Sequence, residues 1–403
     1  MSSSDIQTLL LVGMDLPALA KSARNAGYRV FAADFFGDLD LIRACDRYEA
    51  VIKQRSGLIC GRIEDNFNPE VFVKLVKKLL VEDSADGILL SSGLDDSFDV
   101  LEELNSLVPI IGNSPETIRR VREKPRFFEE LKRLGIAYPK SVVVEDLKEA
   151  ERVAKDFDYP LVLKPLAGFA GVGIRKVESK YSLKRAFKIV SKHSEKVLIQ
   201  QFIEGVHASV SFVSSSGNVK VLTVNKQLLG MRELGQCEPF GFCGNIVPLN
   251  ISKSLFRKCE EIAKKLALHF DLRGSNGIDL VITEWEVPYV IEVNPRFQAT
   301  LECVEKVLGL NLTQLHIKAC IDNSLPKLPT KNLGYCTRLI LYAHKRVKVP
   351  DLTFFEEARD IPLQGVIIEK GEPICSVFAQ AKTFKASFKK AIKIAKLVYK
   401  SLS

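Results

Sequence analysis

Gly277-Ile278-Asp279-Leu280, followed shortly by Ile291-Glu292-Val293-Asn294-Pro295-Arg296, is the stretch on which the reading of this chain turns. Both runs have the apolar content of buried strands, and each interrupts it with groups that bear oxygen. Glu292 and Asn294 sit two apart, so a strand presents both on one face, and Arg296 keeps that parity as the strand ends. Asp279, Glu292 and Asn294 together offer hard oxygen ligands of the kind Mg²⁺ prefers, with room left for phosphate oxygens and water. Arg296 adds a planar fork suited to a carboxylate or phosphate. A lone strand glutamate is more often a solvated face or an ion pair, so the weight lies in the combination.

Working outward, Leu161-Val-Leu-Lys164-Pro165 is an apolar strand ending in a lysine, a point charge available to phosphate oxygens. Directly after it comes Gly168-Phe169-Ala-Gly171-Val-Gly173, whose closely spaced glycines let backbone amides approach an anion. No G-x-x-x-x-G-K-[ST] loop occurs, nor the glycine loop and H-R-D pair of protein kinases. Upstream, Arg122-Glu-Lys124-Pro125 places a lysine at the start of a helix, with proline in its first turn. A lysine before a helix, a lysine ending a strand, a glycine-rich loop and an acidic strand thus follow in the order of one nucleotide site.

On these motifs the sequence resembles the ATP-grasp superfamily, in particular its carboxylate-amine ligases and the ATP-dependent carboligases related to biotin carboxylase. The resemblance implies an α/β and α+β fold: a Rossmann-like domain over residues 1–117, an ATP-grasp domain of two α+β subdomains over 118–325, and a small carboxyl-terminal extension over 326–403. It implies that Lys124 and Lys164 contact ATP phosphates beneath a loop carrying Gly168, Gly171 and Gly173. Gln200, Gln201, Phe202 and Ile203 match the hinge beside adenine, although Gln200 stands where glutamate is frequent and Phe169 interrupts the glycine loop. His207 falls near the position of a ribose-binding acid. Asp279, Glu292 and Asn294 match the metal positions, which implies two Mg²⁺ (or Mn²⁺) ions, while Arg296 and Lys226 are the candidates for contact with the reacting groups. The segment Gly241–Asn245 is expected as a loop that shapes substrate choice.

The periodicity is consistent with that layout. Strand runs at Thr8–Gly13, Tyr28–Ala33, Gly87–Ser91 and Ile110–Gly112 alternate with helical patterns at Leu16–Ala26 and Pro69–Leu80, as in a parallel α/β unit. Gly13 is not followed by a G-x-G-x-x-G fingerprint, so dinucleotide binding there is unsupported. Strands are expected at Ser141–Val144, Val197–Gln201, Ser209–Val213, Val219–Asn225 and, past the proline-bearing linker Leu325–Asn332, at Thr337–Tyr342, Gly365–Glu369 and Ile374–Ala379. The last helix places Phe388, Ile392, Ala395 and Tyr399 on one face and lysines on the others, a packed helix with a solvated basic side.

Composition bounds the rest. A chain of 403 residues is longer than a typical domain of ~100–200 residues, and its 46% apolar and 27% charged fractions are those of globular proteins. The amino terminus lacks the basic region and long apolar stretch of a signal peptide, and the nine cysteines are scattered without a C-x-x-C pair, so a cytoplasmic protein with reduced thiols is expected. The +9 charge is spread along the chain without interleaved aromatics, which argues against nucleic acid, and no run is apolar enough for a membrane span. The expected function is an ATP- and Mg²⁺-dependent ligase that activates a small-molecule carboxylate as an acyl phosphate and joins it to an amine, releasing ADP. Carboxylation through carboxyphosphate and a non-catalytic ATP-binding regulatory role are the alternatives. The sequence leaves the oligomeric state open, a homodimer among its options.

Overall fold

The computed structural model of the chain describes residues 2–60, 67–166, 168, 170–329 and 332–402. Phe169 and part of the linker Leu325–Asn332 lie outside the described residues. The first unit is built on β1 (Thr8–Gly13), β2 (Arg29–Asp34), β3 (Arg47–Ala50) and β4 (Gly87–Leu90), a parallel sheet in the order β3-β2-β1-β4. Every residue of β1 is buried, as expected of a central strand covered on both faces. Ile110–Gly112 does not form the expected strand. It makes a single bridge to Ile88, because Pro109 offers no N–H and the chain then turns so that Asn113 can hydrogen-bond Asn276 and Pro295.

The second sheet contains β5 (Ser141–Val144), β6 (Leu161–Pro165), β7 (Arg175–Val177) and β8 (Val197–Gln201), antiparallel in the order β5-β8-β6-β7. It is preceded by the helix Lys124–Arg133, with Pro125 in its first turn and a stop at Leu134 before Gly135, whose φ of 64° is one that glycine adopts readily.

The third and largest sheet begins with β9 (Val206–Ser215), β10 (Asn218–Leu229), β11 (Phe242–Val247), β12 (Gly274–Ile282) and β13 (Pro288–Asn294). From the last part of the chain, β14 (Tyr335–Tyr342), β16 (Ala358–Arg359) and β18 (Pro373–Ala381) extend it, while β15 (Val347–Lys348) and β17 (Ile367–Ile368) pair as a separate ribbon. The order among described residues is β13-β12-β9-β10-β11-β14-β18-β16. Gly365–Glu369 therefore contributes only the two residues of β17, and the residues after 326 share a sheet with those before it.

Gly241–Asn245, expected as a loop, runs mostly within β11. Its glycines obscured the strand signal, yet Gly244 is required there: at φ 127° a Cβ would lie 2.0 Å from the Arg338 carbonyl oxygen of β14. One apolar core joins the units, since Leu9 and Leu11 of β1, Phe297, Leu315, Cys336 of β14 and Phe378 of β18 belong to the same buried cluster. His316 reinforces the join. Its Nδ1 accepts from the Ser275 amide at 2.8 Å, so its Nε2 is the donor to the Ile111 carbonyl at 2.8 Å. The carboxyl-terminal helix Phe384–Ser401 buries Ala391, Ile394, Ala395 and Val398 against the sheet. No helix of the described residues is long and apolar enough to cross a membrane.

Candidate active site

A cleft of about 460 Å³ opens above the large sheet, lined by the small antiparallel sheet on one side and by loops from the carboxyl ends of β1 and β4 on the other. Parallel sheets commonly build their sites at strand carboxyl ends. Antiparallel pairing sets Asp279 of β12 directly opposite Glu292 of β13, with Asn294 opposite Gly277, so the expected oxygen donors share one wall. Asp279 accepts hydrogen bonds from Gln227 at 2.9 Å and from Asn294 at 3.2 Å.

Cations gather around Glu292. Lys124 Nζ donates to its Oε2 at 2.9 Å, and Arg122 Nη1 lies 3.5 Å from the same oxygen. Burial alone would raise the Glu292 carboxyl, but Lys124 and then Arg122 hold it well below the usual carboxylate range. Asp279 lacks that support: burial, with the charge of Glu292 beside it, pushes it up to about 7. Lys164, at the end of β6, is buried and brought down to about 8 by desolvation, an effect the Glu292 charge opposes.

Two neighbouring acids after β4 aim the arginines. Asp96 receives Arg122 bidentately at 2.7 and 2.8 Å, and Asp95 receives Arg296 Nε at 2.9 Å. Arg296 also donates to Asn294 Oδ1 at 3.2 Å and to the Phe297 carbonyl at 3.0 Å, so it lines the cleft with its fork already oriented.

Gln200, Gln201, Phe202, Ile203 and His207 line the far end of the cleft beside Lys164. Gln200 is buried and donates to Ser141 Oγ at 2.8 Å, while Lys176 Nζ sits 4.3 Å from the Phe202 ring centre. Desolvation, then the Lys164 charge, lowers His207, which keeps it neutral near pH 7. Gly168 and Gly171 line the cleft, whereas Gly173 turns away and donates its N–H to Glu238 Oε2 at 3.1 Å. Arg175 pairs with the same glutamate, and the Phe242 amide bonds the Ala170 carbonyl at 3.0 Å, so the glycine loop is clasped to the segment entering β11.

One site residue was assigned differently from sequence, and another was passed over. Lys226 does not line the cleft; Gln227, next along β10, does, and its amide reaches Asp279. Side chains alternate across a strand, and the register shifts at Val221/Thr223 and Leu228/Leu229 hid the phase of β10. Sequence reasoning also passed over Arg338 of β14, which lines the cleft and pairs with Asp15 at 2.8 Å and Asp360 at 2.8 Å. Its signal was a single charge within the apolar run Thr337–Tyr342. Its acidic partners are remote in sequence and carry no such mark.

Residues 121–300 match the family model described as the ATP-grasp domain, the span that contains Lys124, Lys164, the glycine loop and the β12–β13 pair. The chain carries an ATP-grasp domain. Among curated proteins, an uncharacterised protein of Methanocaldococcus jannaschii is 26% identical over 377 residues, covering 92% of this chain and 88% of its own length. The ATP-grasp domain and its flanks share their overall fold with the biotin carboxylase domain of the Hydrogenobacter thermophilus 2-oxoglutarate carboxylase, at TM-score 0.74 and 18% identity, covering 96% of this chain and 90% of that one. They share it equally with an L-amino acid ligase from Bacillus licheniformis, at TM-score 0.72 and 17% identity over 97% of each chain.

Proposed function

We propose that the cleft binds ATP with Mg²⁺ and activates a small-molecule carboxylate as an acyl phosphate, which an amine then converts to an amide with release of ADP and phosphate. The observation that carries this reading is the facing pair Asp279 and Glu292, flanked by Asn294, with Lys124, Arg122 and Lys164 lining the same cleft. The donor set fits Mg²⁺. Two carboxylates and a carboxamide are hard oxygen donors too few to enclose the ion, and such a site leaves positions for phosphate oxygens and water. Among the described residues no group of three or more His, Cys, Asp or Glu forms a closed metal cage.

In this reading Asp279, Glu292 and Asn294 would hold the metal, which would supply positive charge to neutralise the triphosphate. Lys124 and Lys164 bind the phosphates from the helix start and the strand end, and Gln201 to Ile203 border adenine. Gly168 to Gly171 cover the phosphates and exclude water while the terminal phosphorus is transferred. The substrate carboxylate is already ionised at neutral pH and needs no general base; Arg296, fixed by Asp95, positions it for attack on that phosphorus. One carboxylate oxygen forms the new P–O bond, and the bond to the β-phosphate oxygen breaks as ADP leaves. A cytoplasmic setting and small-molecule partners accord with this chemistry.

The test is ADP release by the purified protein with ATP and Mg²⁺ against pools of carboxylic acids, with hydroxylamine present to trap acyl phosphate. A trapped hydroxamate establishes carboxylate activation and names the acid. Stimulation by bicarbonate alone would assign the cleft to carboxylation instead, and silence across broad pools with ATP still bound would leave a regulatory nucleotide site. Glu292→Gln is expected to lower metal-dependent turnover about 100-fold or more while circular dichroism of the folded chain stays unchanged.

A further inference from the structure

Beyond the phosphate end, the cleft continues into an arm that the proposed phosphoryl transfer does not use. Its floor is the large sheet: Gln227 of β10, Asn245 of β11 and Arg338 of β14 are directly paired across neighbouring strands and so share a face. Its walls are apolar, with Phe35, Ile52, Pro362, Ile368 and Ile374 lining the space. Asp15, Asp38 and Asp360 also line the cleft.

Among the described residues the charges in this arm do not balance. Arg338 is shared between Asp15 and Asp360, which already outnumber it. Among the described residues Asp38 receives one side-chain hydrogen bond, from the neutral Gln54 carboxamide at 3.0 Å, and no lysine or arginine pairs with it. Asp38 precedes the short helix Leu39–Ala44 yet its side chain does not cap it, so helix formation does not account for the carboxylate. Burial, with Asp34, Asp40 and Asp360 nearby, raises Asp38 well above the usual carboxylate range, and Asp360 is pushed up to about 6. Both shifts mark carboxyls whose charged form is disfavoured, chiefly by burial, and which a bound cation would favour.

A second observation is independent of the acids. Asn245, 2% exposed and lining the cleft next to Arg338, keeps its Oδ1 buried without a hydrogen-bond partner. A buried acceptor left unpaired is costly, and an ammonium group entering the arm would supply its missing donor. The arm therefore combines unbalanced carboxylates, an orphan acceptor and apolar walls. A metal ion would use none of the walls, and the described residues contain no group of three acidic or thiol ligands able to hold one.

We propose that this arm receives the protonated amino group of a small organic amine, with Asp38 and Asp360 as its counter-charges, Asn245 Oδ1 as an acceptor, and the carbon skeleton against Phe35, Ile52 and Ile368. The same charges turn away phosphorylated substrates. The assignment builds on the reading of the cleft as a ligase site, and it narrows the substrate to an ammonium-bearing compound such as an amino acid or diamine.

The test uses the full chain without nucleotide, titrated with 1,5-diaminopentane, L-lysine and 2-phenylethylamine and with the matched alcohols, by calorimetry and thermal shift. ATP–Mg²⁺ binding is measured separately. At least one amine is expected to bind where its alcohol does not, and Asp38→Asn to weaken that binding about tenfold, the loss of one favourable charge contact, with ATP–Mg²⁺ affinity unchanged. Asn245→Leu, close in volume and lacking the acceptor, is expected to weaken the amine as well and keeps the test open should Asp38→Asn not fold. Equal binding of amines and alcohols, amine affinity unchanged in the folded variants, or no binding by any amine overturns the assignment. An amine that binds while ATP–Mg²⁺ does not would sink the ligase reading and leave this one standing.

Discussion

Lys164 carries its charge where burial disfavours it, and this has opposite consequences for binding and for stability. Its value in the fold, about 8, is below the 10.5 of a free lysine. Phosphate binding that uses the ammonium should therefore weaken as pH rises through about 8, seen as an increase in the KM for ATP; in Lys164→Arg, which keeps its charge, that rise should be absent. Stability runs the other way. Between about pH 8 and 10.5 the unfolded chain holds the proton and the folded chain releases it, so this group's contribution to stability grows with pH over that window. Near pH 7, where the buried charge is fully present, ligand-free Lys164→Met should melt above the wild type by differential scanning calorimetry. At this scale the sequence was informative where chemistry and position coincide. Lys164, Asp279 and Glu292 announced themselves as polar groups inside apolar strands, whereas Asp38 and Asp360, separated in the chain by more than three hundred residues, meet only through the fold.

The element that most invites a test is the glycine loop between β6 and β7. Gly171 has φ 76°, and a Cβ there would fall 2.0 Å from the Phe240 carbonyl oxygen. Gly171→Ala should hold the loop off its seat, costing about 1 kcal/mol in backbone strain. The KM for ATP should rise, and limited proteolysis should cut near residue 170 faster, with the melting of the large sheet little changed; an unchanged KM and cleavage pattern would mean the loop tolerates displacement. Strand signals were strongest for uninterrupted β-branched and aliphatic runs, and Ser141–Val144 and Val197–Gln201 emerge with the bounds expected of them. They were weakest where glycine or irregular pairing intervenes. β11 was obscured by the glycine that the close approach of β14 demands, and β10 lost its phase to two register shifts, which exchanged Lys226 for Gln227 at the site.

For the whole molecule, the last part of the chain is structural as well as site-forming. β14 covers the edge of β11, β18 covers β14, and Arg338 connects this region to Asp15 at the end of β1. A chain ending at residue 325 would bare that edge together with Leu234, Cys243 and Ile246, which now pack in one buried cluster with Leu339, Leu341 and Val377. An open apolar edge strand is a template for aggregation. Expressed alone, residues 1–325 should therefore be recovered as insoluble or oligomeric material by size-exclusion chromatography, while the full chain should unfold in one calorimetric transition because a single core spans its parts. The two-stage α/β and α+β layout could be read from periodicity, but not the merging of the carboxyl-terminal strands with the large sheet, since strand order across distant segments leaves no local trace.

The chamber above that sheet also has a polarity. Lys124, Lys164 and Arg122 stand toward one end, Asp15, Asp38 and Asp360 toward the other, and the row of carboxamides at Gln227 and Asn245 lies between them. In the proposed site a substrate with opposite charges at its two ends would be turned with its carboxylate toward Arg296 and its ammonium toward these acids. The lining would then act as a compass, disfavouring a substrate that enters reversed.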